Sequence, residues 1–187
     1  MNADVKAEDI SVRIAESQTQ KAAVQEFMRE HALRTHGCEP PPSLGIILGA
    51  WFEGKVVGSV VLDLRQGGEF FPLEELYGTA AVACLFPEGF ERSRIVQGGR
   101  WFSALPRSPV SRLMARAFAE VALEHDTYAM FSEAKEYAFR RMREWGFCIT
   151  CNLDARADIS RVQLAGREYY ETQPFPCLFR MELSSMR

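Results

Sequence analysis

The stretch from residue 128 to residue 147 constrains the fold more than any other part of the chain. Residues 128–131 form a short apolar run typical of a buried strand, and Ser132 is a residue type that caps helix N-termini. Apolar residues then recur at three- and four-residue spacing, as expected of a helix that packs on one face. Gly146 suits the left-handed conformation that ends helices. The pattern predicts a strand, a helix and a second strand over residues 147–153.

Apolar periodicity and turn residues predict seven further elements. The predicted strands are residues 10–14, 44–52, 55–64, 94–105 and 175–183, and the predicted helices are residues 19–34 and 109–122. Ser17 and Thr19 are the cap candidates of the first helix. Glu53-Gly54 is a good pair for a tight hairpin turn between the second and third strands. Gly98-Gly99 interrupts the fourth strand and predicts a bulge there.

Length and composition indicate one domain. The chain has 187 residues and 47% hydrophobic content, enough for one buried core and short for two, so we expect residues 1–187 to form a single domain. A net charge of -3 argues against nucleic acid as a partner. The charge is uneven, since residues 92–143 contain ten Lys and Arg against five Asp and Glu. The middle of the chain is therefore basic.

Membrane, secretion and metal signals are lacking in the sequence. No apolar run approaches the roughly 20 residues of a membrane span, and the acidic start of the chain does not resemble a signal peptide, so we expect a cytoplasmic protein without a membrane span. Five scattered cysteines fit reduced thiols better than a disulfide framework. Cys148 and Cys151 form a lone Cys-x-x-Cys without a second ligand pair, so we expect no metal site.

The order of the predicted elements resembles the GNAT-type acyltransferase fold over most of the chain. Within it, Val96-Gln-Gly-Gly-Arg-Trp-Phe102 looks like the Glu-x-Ser-Arg-Phe segment of acyl-homoserine lactone synthases and N-acyl amino acid synthases. Phe71-Pro-Leu-Glu74 is similar to a Leu-Pro-x-Glu element of that branch. The resemblance implies an α+β, three-layer αβα architecture, whose mixed, mostly antiparallel sheet has six to seven strands and helices on both faces. It also implies a V-shaped split between two central strands, which admits the phosphopantetheine arm of an acyl thioester.

The same resemblance implies an N-acyltransferase. An acyl group would pass from acyl carrier protein or coenzyme A to a small-molecule primary amine of an amino acid-like acceptor, by direct attack and without a metal. One alternative is an acetyl-coenzyme A-dependent acetyltransferase of a small amine. Another is a GNAT-fold binding protein that has lost catalysis, because Met142 replaces the tyrosine with which many GNAT enzymes protonate the leaving thiolate.

The phosphate-binding loop departs from the family pattern Arg/Gln-x-x-Gly-x-Gly/Ala, which falls at residues 107–112. Val110 and Arg112 replace its two glycines, so the cradle of bare amides is compromised. A helix N-terminus at Ser108, with Arg107 and Arg112 beside it, still favours a single phosphate. We therefore favour an acyl carrier protein as donor, although a set of ordinary solvated arginines is the alternative. The arginines expected to dock an acidic carrier protein are Arg92, Arg94, Arg100, Arg107, Arg112, Arg116, Arg140, Arg141 and Arg143.

Candidate catalytic residues surround the glycine pair. Arg100 would clamp a carboxylate, or pair with an acidic side chain that holds the split open. Gln97 stands where the autoinducer branch has a glutamate, and its amide cannot accept a proton but can orient the nucleophile or a water. The candidate bases are then Glu74, Glu75 and Glu133, the last of which is predicted at the junction of a strand and a helix.

The backbone of the same strand is the candidate binding site for the donor. Gly98 and Gly99 lack side chains, so a pantetheine arm can approach the backbone closely. The amides near Trp101, Phe102 and Ser103 would polarise the thioester carbonyl.

Overall fold

The computed structural model of the chain describes residues 5–39, 45–65, 69–105 and 108–186. The strands are β1 (Ser11–Ile14), β2 (Ile46–Phe52), β3 (Lys55–Asp63), β4 (Ile95–Ser103), β5 (Ala129–Ala134), β6 (Ile149–Asn152) and β7 (Cys177–Glu182). They form one seven-stranded sheet in the order β1-β2-β3-β4-β5-β7-β6. β4 and β5 pair in parallel, and the other neighbouring strands pair antiparallel. The predicted mixed, mostly antiparallel sheet is confirmed.

Helices cover both faces of this sheet. They are α1 (Gln18–His36), α2 (Pro72–Tyr77), α3 (Thr79–Ala83), α4 (Val110–Glu124), α5 (Glu136–Glu144) and α6 (Arg167–Glu171). Phe118 of α4 and Phe139 of α5 share one core cluster with Val96 of β4. On the opposite face, Leu73 of α2 shares a cluster with Ile95 of β4. Within the described ranges, no helix has the length and apolar character needed to cross a membrane.

The first helix and the first hairpin follow from their local sequence. Ser17 Oγ accepts a hydrogen bond from the Gln20 amide at 3.2 Å, so Ser17 rather than Thr19 caps α1. Glu53 and Gly54 have φ values of 50° and 76°, which is the backbone geometry of a two-residue turn between twisted strands. Both predicted boundaries are confirmed.

The strand that precedes α5 is longer than predicted. β5 continues through Ser132 and Glu133 to Ala134, and Lys135 is the N-cap of α5. The prediction that Ser132 caps this helix is wrong, because the three residues pair in the ladder with β7 residues 177–179. Pairing with a distant strand thus overrides a local capping preference. Glu133 is consequently a strand residue and does not lie in the first turn of a helix.

The bulge in β4 is formed by Arg100 and Trp101, which together oppose Val60 of β3. Arg100 has a positive φ of 53°, and its carbonyl accepts a hydrogen bond from the Ser59 hydroxyl at 3.2 Å. A bulge is present as predicted, but its predicted place at Gly98-Gly99 is wrong, since both glycines pair regularly with β3. The pairing of β4 with β3 sets the position of the bulge, and the position of the two glycines does not indicate it.

Candidate active site at the strand split

β4 and β5 separate after a short parallel stretch. Their pairing covers three residues of each strand and ends at Gln97 and Phe131. Beyond these residues β4 continues along β3 to Ser103, and β5 continues along β7 to Ala134. A wedge-shaped gap therefore opens in the middle of the sheet, in agreement with the V-shaped split that was predicted. We call the paired end the apex and the open end the mouth.

The β4 side of the mouth is bare at Gly99. A Cβ atom built on Gly99 would have no heavy atom within 4 Å, so this position faces open space. Gly98 faces the opposite side of the sheet, where a Cβ would lie 3.1 Å from Met130 Cε and 3.4 Å from Phe118 Cε2. Gly99 thus leaves room for a ligand beside the backbone, whereas Gly98 makes room for the core.

The apex is occupied by contacts that hold α2 against β4. Gln97 is 5% exposed, and its Oε1 accepts the Leu73 amide at 2.9 Å. Glu74 is also buried, and its Oε2 accepts the Phe71 amide at 2.8 Å. Both Glu74 oxygens accept hydrogen bonds from the Arg92 guanidinium, which raise the pKa of Arg92. These contacts engage the oxygens of both predicted site residues and give Gln97 and Glu74 a positioning role at the start of α2.

Glu133 is the carboxylate of the mouth. It lies two residues beyond Phe131 on β5 and, like Gly99, on the face that carries α2. The Tyr77 hydroxyl donates to Oε2 and the Tyr170 hydroxyl to Oε1, both at 2.7 Å. Burial raises the pKa of Glu133 and the two hydroxyls lower it less, yet the residue remains partly accessible to solvent. A desolvated carboxylate with neutral partners, on a residue that is partly exposed, fits a group that exchanges protons.

Aromatic side chains from α6, α1 and β4 continue around the mouth. The Tyr169 ring contacts the Tyr170 ring edge-on at 5.0 Å and the His36 ring at 4.8 Å between centroids. The His36 ring lies 6.2 Å from that of Phe102. Burial lowers the pKa of His36, and its Nδ1 has no hydrogen-bond partner among the described residues. The Glu133 cluster, as we call this group, comprises Glu133, Tyr77, Tyr170, Tyr169, His36 and Phe102.

Arg100 lies at the bulge beside the split and interacts electrostatically with Asp63. Burial lowers the pKa of Arg100 and the Asp63 charge opposes this shift. Burial likewise raises the pKa of Asp63, and Arg100 and Arg65 counteract it. Asp63 pairs with Gln97 across the ladder, so these charges lie on the face that carries α2. The expected neighbouring acid of Arg100 is therefore present, and its role toward a substrate stays a prediction.

The predicted phosphate site at the start of α4 is only partly described. Pro109 rather than Ser108 is the N-cap of α4. The Ser108 hydroxyl donates to a carbonyl of the preceding loop at 2.7 Å and accepts the Val110 amide at 3.4 Å. Arg112 is exposed in the first turn, while Arg107 lies outside the described residues. The Ser108 hydroxyl is thus engaged within the protein.

The structure brings Gln97, Gly99, Arg100 and Glu133 to one split and leaves Glu75 exposed on α2, away from these contacts. Sequence reasoning missed the aromatic partners of Glu133, and local periodicity offered no signal for them. The described residues contain no group of three or more His, Cys, Asp or Glu side chains arranged to hold a metal ion.

Solved structures share this architecture. FeeM, an N-acyl amino acid synthase from uncultured soil microbes, is 12% identical with a TM-score of 0.64, covering 95% of this chain and 92% of FeeM. The AHL synthase LasI is 13% identical with a TM-score of 0.63, and the match covers 93% of this chain and 90% of LasI. MesI, a CoA-dependent acyl-homoserine lactone synthase, is 13% identical with a TM-score of 0.55, and the match covers 93% of this chain and 88% of MesI. No protein-family model and no curated protein sequence matches the chain. The likeness shows that this chain shares the fold of these structures.

Proposed function

We propose that the protein is an N-acyltransferase, which moves an acyl group from an acyl thioester to a primary amine of an amino acid-like acceptor. The split carries this proposal, because it leaves the backbone of β4 beyond Gln97 with β3 on one side and an opening on the other. Backbone N–H and C=O groups that do not pair with a neighbouring strand need other hydrogen-bond partners. The amides of a pantetheine arm can pair with them as an added strand does.

The proposed reaction is direct attack. The amine nitrogen bonds to the thioester carbonyl carbon and the carbon–sulfur bond breaks, without a covalent enzyme intermediate. Backbone amides near Trp101, Phe102 and Ser103 polarise the carbonyl oxygen, and the split aligns the two reactants. Arg100, at the rim of the split, orients an acceptor carboxylate through its planar guanidinium.

The donor is carried by acyl carrier protein or by coenzyme A. MesI is CoA-dependent, so this fold is compatible with coenzyme A. In this chain, however, Val110 and Arg112 stand in the phosphate loop and the Ser108 hydroxyl is engaged. We therefore expect weak binding of the coenzyme A pyrophosphate and favour the carrier protein.

Exposed arginines on α4 and α5 support the carrier protein. Arg92, Arg94 and Arg140 each pair with an acidic side chain. The exposed arginines of the two helices that form none of these pairs are Arg112, Arg116, Arg141 and Arg143. Both helices cover one face of the sheet, so an acidic protein would meet several positive charges at once.

Transfer of a short acyl group, as in an acetyl-coenzyme A-dependent enzyme, is the second candidate. Met130 and Phe118 are fully buried directly behind Gly98. These side chains occupy the space that a long acyl chain would enter on the α4 side of the split. A short chain needs no such displacement.

Thiol release by the purified protein tests both candidates. Decanoyl and acetyl donors, each on coenzyme A and on acyl carrier protein, are mixed with amino acids and simple primary amines. Amine-dependent release from decanoyl carrier protein, with an N-acylated product in the mass spectrum, supports the proposal, and faster release from acetyl-coenzyme A supports the second candidate. Thermal stabilisation by a donor without any thiol release would instead indicate a binding protein. Unchanged release by Arg100→Ala would remove Arg100 from the site.

A further inference from the structure

N-acyl transfer needs a group that binds the acceptor amine and removes its proton, and β4 does not supply one. The Gln97 amide cannot accept a proton, and its Oε1 holds the Leu73 amide. Glu74 is engaged by Arg92, and Glu75 is exposed on α2. Glu133 is left as the described carboxylate that lies in the mouth of the split.

We propose that the Glu133 cluster binds the acceptor as its ammonium ion, and that the Glu133 carboxylate takes the proton whose loss makes the amine nucleophilic. This inference rests on the proposed N-acyl transfer and deepens it. It makes the acceptor a primary amine that enters in its charged form. It also moves the proton acceptor from β4, where the resemblance implied it, to β5.

The geometry of Glu133 leaves room for an ammonium ion. Each carboxylate oxygen accepts one hydroxyl hydrogen bond, from Tyr77 or from Tyr170, and retains lone-pair capacity for a second donor. Glu133 is partly accessible, and across the split Gly99 faces open space on the same face of the sheet. An ammonium group between the two strands can therefore reach both the carboxylate and a thioester that lies along β4.

The surroundings of Glu133 favour a cation over a neutral or negative group. Its hydrogen-bond partners are neutral, since burial and the adjacent carboxylate raise the pKa of both Tyr77 and Tyr170. Aromatic rings at the rim, from Tyr169, His36 and Phe102, attract a cation through their π faces. The described hydrogen-bond partners of Glu133 carry no charge, so in this partly desolvated site the acceptor can supply the counter-charge.

The proton balance of the reaction follows from this placement. The ammonium ion gives one proton to Glu133, and the neutral amine then forms the carbon–nitrogen bond. The carbon–sulfur electron pair leaves with sulfur, which takes the second nitrogen proton as the thiol departs. The third proton remains on the amide, and Glu133 returns its proton to solvent before the next turnover.

Titratable groups face Glu133 from each neighbouring element. Tyr77 of α2 and Tyr170 of α6 hydrogen-bond to Glu133, and Tyr169 of α6 interacts with it electrostatically. The groups that reach it only through Tyr169 or Tyr170 are His36, Cys38, Lys135, Tyr137 and Cys177. Lys135 Nζ lies 5.1 Å from the Tyr169 ring centroid and donates to the Thr172 carbonyl at 3.2 Å. β4 contributes Gly99 and Phe102 to the mouth and the charged Arg100 to its rim, where Arg100 interacts with Asp63 of β3. Glu133 is thus the acid of this group whose raised pKa would appear in a pH–rate profile.

The test compares Glu133→Gln with Glu168→Gln. Glu168 is an exposed residue of α6, the helix that carries Tyr169 and Tyr170, and so controls for the same chemical change nearby. Removing a general base typically costs about 100-fold or more, so we expect Glu133→Gln to lose at least that factor in kcat/KM for the amine. Glu168→Gln should match the wild type. Glu133→Asp should recover part of the loss.

The pH–rate profile separates catalysis from structure. Wild-type kcat/KM should rise with pH as Glu133 ionises, and Glu133→Gln should lose this limb while its circular dichroism spectrum and cooperative unfolding show that it is folded. A wild type that releases no thiol with any donor and amine contradicts the proposed function itself. An active wild type with a Glu133→Gln variant within a few-fold of it, or with the same pH limb, overturns this inference alone. Should Glu133→Gln not fold, Tyr170→Phe decides, because an unmoved acid limb in that variant would also overturn the inference.

Discussion

Glu74 at the apex of the split and Glu133 at its mouth are enclosed carboxylates that are held by different kinds of partner. At the apex, Glu74 accepts hydrogen bonds from the cationic Arg92 and from the Phe71 amide. At the mouth, the described partners of Glu133 are the neutral hydroxyls of Tyr77 and Tyr170. The apex is closed by protein contacts, whereas the mouth opens onto unfilled space beside Gly99.

This difference is the basis on which we propose a structural role for Glu74 and a catalytic role for Glu133. A buried carboxylate with a guanidinium partner is neutralised as a pair and positions α2. The negative charge of a carboxylate with hydroxyl partners is not neutralised by a cation. Burial therefore disfavours the ionised form and raises the pKa of Glu133. Both carboxylates are enclosed, so the charge of their partners, rather than burial, is what distinguishes the two proposed roles.

The largest expected effect is on stability at the apex. Arg92→Ala leaves the buried Glu74 without its cation, and because the Arg92 side chain is 34% exposed, water can replace part of the interaction. We expect a loss of about 2 kcal/mol, below the roughly 3–5 kcal/mol of a fully buried pair. Arg94→Ala is the matched control, since the Arg94–Asp126 pair is largely exposed and is worth less than about 1 kcal/mol. Urea unfolding measures both. Equal stabilities of the two variants would contradict the assignment of Glu74 to structure.

The next effect concerns the two hydroxyls at the mouth. Tyr77→Phe and Tyr170→Phe each remove a hydrogen bond that favours the ionised form of Glu133, so its pKa should rise further. A lost bond worth about 1.4 kcal/mol corresponds to about one pH unit, by which the acid limb of kcat/KM should move upward. Tyr137→Phe, at an exposed tyrosine of α5, should leave the profile in place. A downward movement would mean that the hydroxyls do not stabilise the carboxylate.

A smaller effect is expected in the pH dependence of stability. Because the native pKa of Glu133 is raised, the native state holds this proton more tightly than the unfolded chain, and stability falls as pH rises through the native pKa. Glu133→Gln has no carboxyl proton at this position, so its stability lacks this pH dependence. As pH rises, its melting temperature should therefore increase relative to that of the wild type. Glu168→Gln should follow the wild type throughout. A melting temperature of Glu133→Gln that falls relative to that of the wild type as pH rises would contradict the direction of the shift.

The smallest stability effects distinguish the two glycines. Gly99→Ala adds a methyl group to open space and reduces backbone freedom in the unfolded chain, so stability should be unchanged or higher by less than about 1 kcal/mol. Gly98→Ala presses on Met130 and Phe118 and should lose about 1 kcal/mol. Thiol release should fall more in Gly99→Ala, which narrows the mouth. The opposite ranking in activity would place the donor on the α4 side.

Several features of the fold and site could be predicted because they depend on neighbours along the chain. The Ser17 cap, the Glu53-Gly54 turn and the helix that ends near Gly146 all follow from residue types at fixed offsets. The mixed sheet and its split were expected from the resemblance of this element order to the GNAT-type fold. The end of β5 was predicted wrongly, because its ladder with β7 extends the strand past the helix-capping signal of Ser132.

The sequence by itself determined the order of strands and helices, the glycine pair on β4 and the absence of a carboxylate at Gln97, since all of these are local. The tertiary structure alone decided which acid is held by a cation and which by hydroxyls. Glu133 meets Tyr77 and Tyr170 across separations of 56 and 37 residues. Such contacts arise when α2 and α6 pack over the split, and no periodicity along the chain encodes them.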